Sequence, residues 1–165
     1  MPRKDAPQIA FFVDRSLGGK LIVEALRAAG AQVVVHDDVF AQNSPDVDWL
    51  AEAGRKGWVV LTKDGAIRHN PHERDMYRSA RLRVFTLARQ NLSGLDMAAV
   101  FVKALPGMQS RAETIEPPFV FSISRGGDFK RLDWFDMRPL RSAFLCNRVT
   151  PVRGSIRCDA QSWNT

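Results

Sequence analysis

Three apolar runs in this chain each end in acid, and that repeat constrains the fold more than any other feature. Ile9-Ala10-Phe11-Phe12-Val13 runs into Asp14. Ala31 to Val35 runs toward Asp37-Asp38, and Trp58-Val59-Val60-Leu61 runs through Thr62-Lys63 into Asp64. Runs this short and apolar on both faces suit strands inside a parallel sheet. Helix-like segments separate them, which implies right-handed crossovers. In such a sheet the carboxyl ends of the strands share one edge, where binding sites are built. The acids are therefore expected to meet in space. Carboxylates gathered without counter-charge repel one another, so some must take up protons or hold a cation. A hard divalent ion such as Mg²⁺ is the natural remedy, because it takes oxygen ligands and keeps several waters.

The rest of the chain continues the alternation. Leu17 to Ala29 reads as the first helix, with Leu17, Leu21, Ala25 and Ala29 on one face, Ile22 and Leu26 beside them, and Gly30 past its end. His36 to Asn43 reads as a polar loop around Phe40. Ser44-Pro45 opens a second helix, with Ser44 capping, Val47, Leu50, Ala51 and Gly54 inward, and Lys56-Gly57 closing it. Asp64 to His69 reads as a loop, and Asn70-Pro71 starts a basic third helix with Glu73 placed for a capping box. Leu82 to Leu87 is the fourth strand. Ser93 caps a helix running to about Leu105, with Leu95, Ala98, Ala99 and Val102 inward, and Pro106-Gly107 breaks or kinks it. Phe119 to Ile123 is the last strand, and Gly126-Gly127 ends the regular pattern. The expectation is an α/β domain over residues 1–132, a mostly parallel central sheet with helices on both faces. Residues 133–165 lose periodicity among scattered aromatics and read as an irregular C-terminal tail.

Composition narrows the class. With 165 residues, 45% of them hydrophobic, the chain suits one domain with a real core. No apolar run approaches the roughly 20 residues that span a bilayer, and no secretory pattern opens the chain. Cys146 and Cys158 have no metal-ligand spacing and read as free thiols, which suits a cytoplasmic protein with no membrane attachment. The net charge of +6 favours a polyanionic partner. Five Arg and three Asp follow Leu132, so the body is basic as well as the tail.

Asp14, Asp46 and Asp64 are the candidate metal-binding and catalytic acids: two strand ends and one helix start facing the same edge. Each has an ordinary structural role on its own, as a helix cap, a partner for the helix dipole or a turn former. Their joint placement points to a metal site. Glu73 could supply a fourth carboxylate, with the capping box to Asn70 as its alternative role. Asp37 and Asp38 read as solvated loop acids. Arg15, Arg68 and His72 surround the cluster and suit a phosphodiester backbone, whose charge needs neutralising. Arg78 and Arg81 read as a solvated helix face. No zinc-like spacing, Gly-rich phosphate loop or nucleophile elbow is found.

Phe11-Phe12-Val13-Asp14-Arg15-Ser16-Leu17-Gly18, then Pro45-Asp46-Val47-Asp48-Trp49-Leu50, then Leu61-Thr62-Lys63-Asp64 with Ile67-Arg68 and Glu73, resemble a PIN-like domain, nearest the VapC-type toxins of bacterial toxin–antitoxin pairs. The resemblance covers the chain to about residue 125. It implies a parallel sheet between helices, a Mg²⁺ or Mn²⁺ site, endoribonuclease activity on RNA, a cognate antitoxin protein and dimerisation. Asp14, Asp46 and Asp64 match the family's metal-binding acids, and Glu73 is a looser match. The family's fourth acid, beyond the fourth strand, is missing where this chain reads Ala88-Arg89-Gln90-Asn91. Two rival readings are a catalytically inert PIN-like module that works by protein binding and a receiver-like phospho-acceptor. The second wants paired acids at the first strand end and a Lys after the last strand; here Arg15 follows Asp14, and no Lys stands directly after Ile123.

Overall fold

The computed structural model describes residues 9–18, 20–41, 44–63, 71–89 and 91–132, without the side chains of Asp46, His72 and Glu73. Strand β1 (Ala10–Val13) leads through a single 3₁₀ turn (Arg15–Leu17) to helix α1 (Lys20–Ala28) and strand β2 (Gln32–Val35). Helices α2 (His36–Val39) and α3 (Asp46–Lys56) precede β3 (Val59–Thr62). Helix α4 (Pro71–Ser79), β4 (Arg83–Leu87), the long α5 (Gly94–Thr114), β5 (Phe119–Ile123) and β6 (Phe129–Arg131) complete the described chain. The sheet order is β2-β1-β3-β4-β5-β6, parallel through β5, with β6 antiparallel on its edge. The α/β class and the mostly parallel sheet are as the sequence pattern predicts.

Strand alternation divides the core into two layers. Phe11, Val13, Val59, Leu61, Phe85, Phe119 and Phe121 face α1 and α5, where Ile22, Leu26, Phe101 and Met108 meet them. Phe12, Val60, Val84 and Val120 face the other way, onto Trp49, Leu50 and Ala53 of α3 and Tyr77 of α4. The Phe12 ring stacks between Trp49 and Trp58, at 5.4 and 5.5 Å between centroids. Burying a side chain of this size contributes about 1.5–3 kcal/mol. Gly54 lets α3 approach the end of α4, because a Cβ there would lie 2.0 Å from the Ala80 carbonyl oxygen.

Several local expectations are corrected. Leu21, Val47 and Leu95 were expected inward and are exposed, at 48%, 57% and 70%. Each is the second residue of a helix that begins at the carboxyl edge of the sheet, so no strand lies beneath it. The buried stripes run instead through Ile22, Val23 and Leu26 in α1 and through Trp49, Leu50 and Ala53 in α3. Ala29, Ala51 and Ala99 are likewise exposed. The expected loop after β2 begins with a helical turn, α2, whose His36 is buried among the rings of Phe12, Phe40 and Trp49. Ser44 makes no cap to α3, where Pro45 takes the N-cap position.

Helix α5 does not stop at Pro106-Gly107 but continues to Thr114. A proline inside a helix costs about 3 kcal/mol. Past it, Met108 and Ala112 are buried in the core. Gly107 leaves space for the Phe129 ring, and the Arg111 guanidinium sits 3.9 Å from that ring's centroid. Tertiary packing against β6, an element the sequence pattern does not show, outweighs the local cost. Gly126-Gly127 is therefore the turn of a β5–β6 hairpin. Other expectations hold: Gly57 ends α3 in the left-handed conformation, Pro71 is the first residue of α4, and the Ser93 side chain accepts from the Asp96 N–H. No helix among the described residues is long and apolar enough to cross a membrane.

Candidate active site

The strand order places a switch point between β1 and β3. From β1 the chain leaves by α1 toward one neighbour, β2. It then crosses by α2 and α3 to β3 on the opposite side. Ligands of open α/β sheets bind in the crevice outside the carboxyl ends at such a point. Asp14 is the first residue beyond β1, and its N–H donates to the Leu61 carbonyl of β3 at 3.0 Å. The aspartate is thereby pinned across the crevice by its own backbone.

Its side chain is held as firmly. Asp14 Oδ2 accepts from Ser16 Oγ at 2.6 Å and from Thr62 Oγ1 at 3.0 Å. The Lys63 N–H donates to Ser16 Oγ at 3.1 Å. Each hydroxyl has one proton. With both protons directed at Oδ2, the 3.2 Å separation of the two hydroxyl oxygens follows from their convergence on one acceptor. A carboxylate accepting two such bonds is fixed in orientation, and its Oδ1 lies outside both of them. Local sequence explains the turn. Leu17 is buried as its anchor, the Leu17 N–H bonds the Asp14 carbonyl at 3.1 Å, and Gly18 at φ 66° reverses the chain into α1.

Ser16 and Thr62 hold the candidate aspartate, and the sequence reading misses both. Thr62 belongs to a row. It pairs in register with Thr86 of β4, which pairs with Ser122 of β5. All three are buried, at 2%, 1% and 4% exposure. The signal was present: each is a hydroxyl near the carboxyl end of an apolar strand, at the same offset in three strands.

The other predicted residues divide by what is described. Asp46 is the first residue of α3, and His72 and Glu73 follow Pro71 in the first turn of α4; both helices return from the carboxyl edge of the sheet. Their side chains, and Asp64 and Arg68 altogether, lie outside the described residues. Arg15 is exposed beside Asp14. Asp37 and Asp38 are exposed on α2, with the Asp37 Oδ1 3.1 Å from His36 Nδ1. The nearest described acid after β4 is Asp96, in the first turn of α5. It accepts from Ser93 Oγ at 2.8 Å and meets Arg125 at 3.5 Å, so its carboxylate is engaged at the start of α5, beside the Ser93 cap. Among the described residues no three acids, histidines or cysteines gather closely enough to hold a metal. What is described at Asp14 fits a hard divalent cation: carboxylate and hydroxyl oxygens, with no thiolate or imidazole in the network.

A groove of about 580 Å³ opens from Asp14 between α1 and the end of the edge strand β2. A larger one, about 730 Å³, lies between α3 and α4 on the other face, with Leu50 and Met76 in its lining, and does not include Asp14. Only the first adjoins the switch point.

Comparison with known proteins bears on this arrangement directly. The family model described as "PIN like domain" matches residues 9–89, a span that contains Asp14, Asp46, Asp64 and Glu73. "Putative ribonuclease VapC45" of Mycobacterium tuberculosis (strain ATCC 25618 / H37Rv) is 30% identical over 116 residues, covering 68% of this chain and 83% of that protein. No solved structure matches the chain. With an aspartate fixed at the β1–β3 switch point and that degree of shared sequence, the chain belongs to the PIN-like domain family, on its VapC-type branch.

Proposed function

We propose that this protein is a divalent-metal-dependent endoribonuclease, the toxin of a type II toxin–antitoxin pair. The observation that carries the reading is the Asp14 carboxylate, half-buried at the switch point and held there by two hydroxyls. A side chain ordered in this way is preorganised to bind a cation. Asp14, Asp46 and Asp64 would hold Mg²⁺ or Mn²⁺, with Glu73 as a further ligand. Such an ion, when bound, lowers the pKa of water and neutralises phosphate charge. Thr62 and Ser16 keep Asp14 in one rotamer, so no reordering is needed when substrate arrives. Arg15, Arg68 and His72 would position the phosphate backbone. The relative's description as a ribonuclease supports RNA as the substrate. Its VapC name supports a cognate antitoxin protein as a partner, and a homodimer is what the family resemblance implies. Residues 1–132 would carry these functions, with 133–165 as a separate segment, in the cytoplasm.

The test is cleavage of single-stranded RNA by the full chain with Mg²⁺ or Mn²⁺, beside Asp14→Asn. The expected result is metal-dependent cleavage that Asp14→Asn reduces by at least about 100-fold, the scale on which catalytic groups contribute. Cleavage that survives both chelation and the substitution would overturn the assignment.

A further inference from the structure

The groove that opens from Asp14 has two chemically different walls. One wall is a single face of α1: Lys20, Glu24 and Arg27 recur at helical spacing and line it in a row. The opposite wall carries Asp37 and Asp38, and the half-buried Val35 contributes apolar surface between the walls. The exposed Lys20 side chain forms no hydrogen bond or ion pair with any described residue. Arg27 reaches only the Val33 carbonyl, at 3.3 Å. Seven helical steps separate these two cations, about 10 Å of rise. They stand at the two ends of one groove whose mouth is the candidate catalytic aspartate.

Opposite charges at i, i+4 on a helix face can pair, with Glu N-terminal to Lys the better order. Lys20 and Glu24 have that spacing and do not pair. The mixed charge of the groove suits a nucleic acid strand better than a small anion. Phosphates are drawn to Lys20 and Arg27 and repelled by Asp37 and Asp38 across the groove and by Glu24 between the two cations, so the backbone is held at two points on the α1 side. Sugars and bases then lie over the half-buried Val35, where single-stranded RNA, with its bases unstacked, presents apolar faces.

We propose that this groove is the track by which single-stranded RNA leaves the metal site, with successive phosphates on Lys20 and Arg27. The proposal rests on the endoribonuclease reading and extends it, because the cations assigned so far, Arg15, Arg68 and His72, do not include α1. It also gives the strand a direction, across the end of β1 toward the edge strand β2.

The test uses the full chain and two independent readouts, after circular dichroism confirms that each variant is folded. The first is binding of a fluorescein-labelled single-stranded RNA in Ca²⁺, followed by anisotropy across a salt series. The second is steady-state cleavage in Mn²⁺. Lys20→Ala with Arg27→Ala should weaken binding about tenfold. It should also reduce the slope of log K against log salt by about 1.4, two phosphates at about 0.7 each on a single strand. KM should rise by a similar factor with kcat within about twofold. Arg27→Lys should restore most of the loss, and Lys130→Ala, an exposed cation on β6, should change neither readout. If the parent cleaves RNA and the double variant keeps its KM and salt slope, the track is wrong while the nuclease reading stands. If the parent binds RNA without cleaving it and the double variant loses binding, the track stands and the nuclease reading fails. A parent that neither binds nor cleaves overturns both.

Discussion

Two rungs of the same sheet, two residues apart on the same face, have opposite chemistry. Val60, Val84 and Val120 pair in register across β3, β4 and β5, and so do Thr62, Thr86 and Ser122. Both rungs are buried, the first at 0%, 0% and 1% exposure and the second at 2%, 1% and 4%. Burial therefore does not distinguish them. The valines contribute apolar area to the packing under α3 and α4. The hydroxyls contribute less of that and carry a desolvation penalty unless they are hydrogen-bonded. At Thr62 the bond goes to Asp14. The difference shows where the sheet gives up apolar packing for hydrogen bonding to Asp14: at the last residue of β3, beside the switch point.

That contrast can be broken from either side. The largest effect is expected from Phe85→Ala, between the two rungs on the opposite face and fully buried against Phe119 and Phe121. It should cost about 3–5 kcal/mol in denaturant unfolding while leaving Mn²⁺ affinity of the folded fraction unchanged. A reciprocal swap sharpens the comparison. Val60→Thr adds a hydroxyl to the apolar rung and should destabilise by about 1–3 kcal/mol, with activity retained. Thr62→Val should leave the unfolding midpoint nearly unchanged but reduce metal affinity or cleavage by about 10- to 100-fold, as loss of a group orienting a metal ligand does. If the two swaps act alike, the rungs are not functionally different. Ser16→Ala should act on the same readouts in the same direction, by less, because Thr62 remains on Oδ2. The smallest effect is expected from Asp96→Asn: up to about 1 kcal/mol of helix-end stabilisation and cleavage within about twofold. A larger loss of activity would make Asp96 the acid missing after β4.

Much of this contrast was legible in the sequence. The apolar runs ending in acid specify a parallel sheet, and turn and cap residues such as Gly57, Pro71 and Ser93 mark helix ends by local chemistry alone. Less legible were features that depend on what lies beneath a residue. Leu21, Val47 and Leu95 fit an apolar stripe by period, but each sits on a helix turn that projects past the sheet. Pro106 is a local breaker overridden by Phe129, a contact from more than twenty residues away along the chain. The site was half legible. Asp14 announces itself as an acid at a strand end. Ser16 and Thr62 do not, because a hydroxyl beside a turn has many ordinary uses and only the register between β1 and β3 brings both to one oxygen.

The central claim is that Asp14 helps to grip a divalent ion at the β1–β3 switch point. Calorimetric titration of the full chain with Mn²⁺, beside Asp14→Asn of equal thermal stability, tests it most directly. The account predicts saturable binding by the parent that weakens at least about 100-fold in the variant. Equal Mn²⁺ affinity in the two proteins would contradict it.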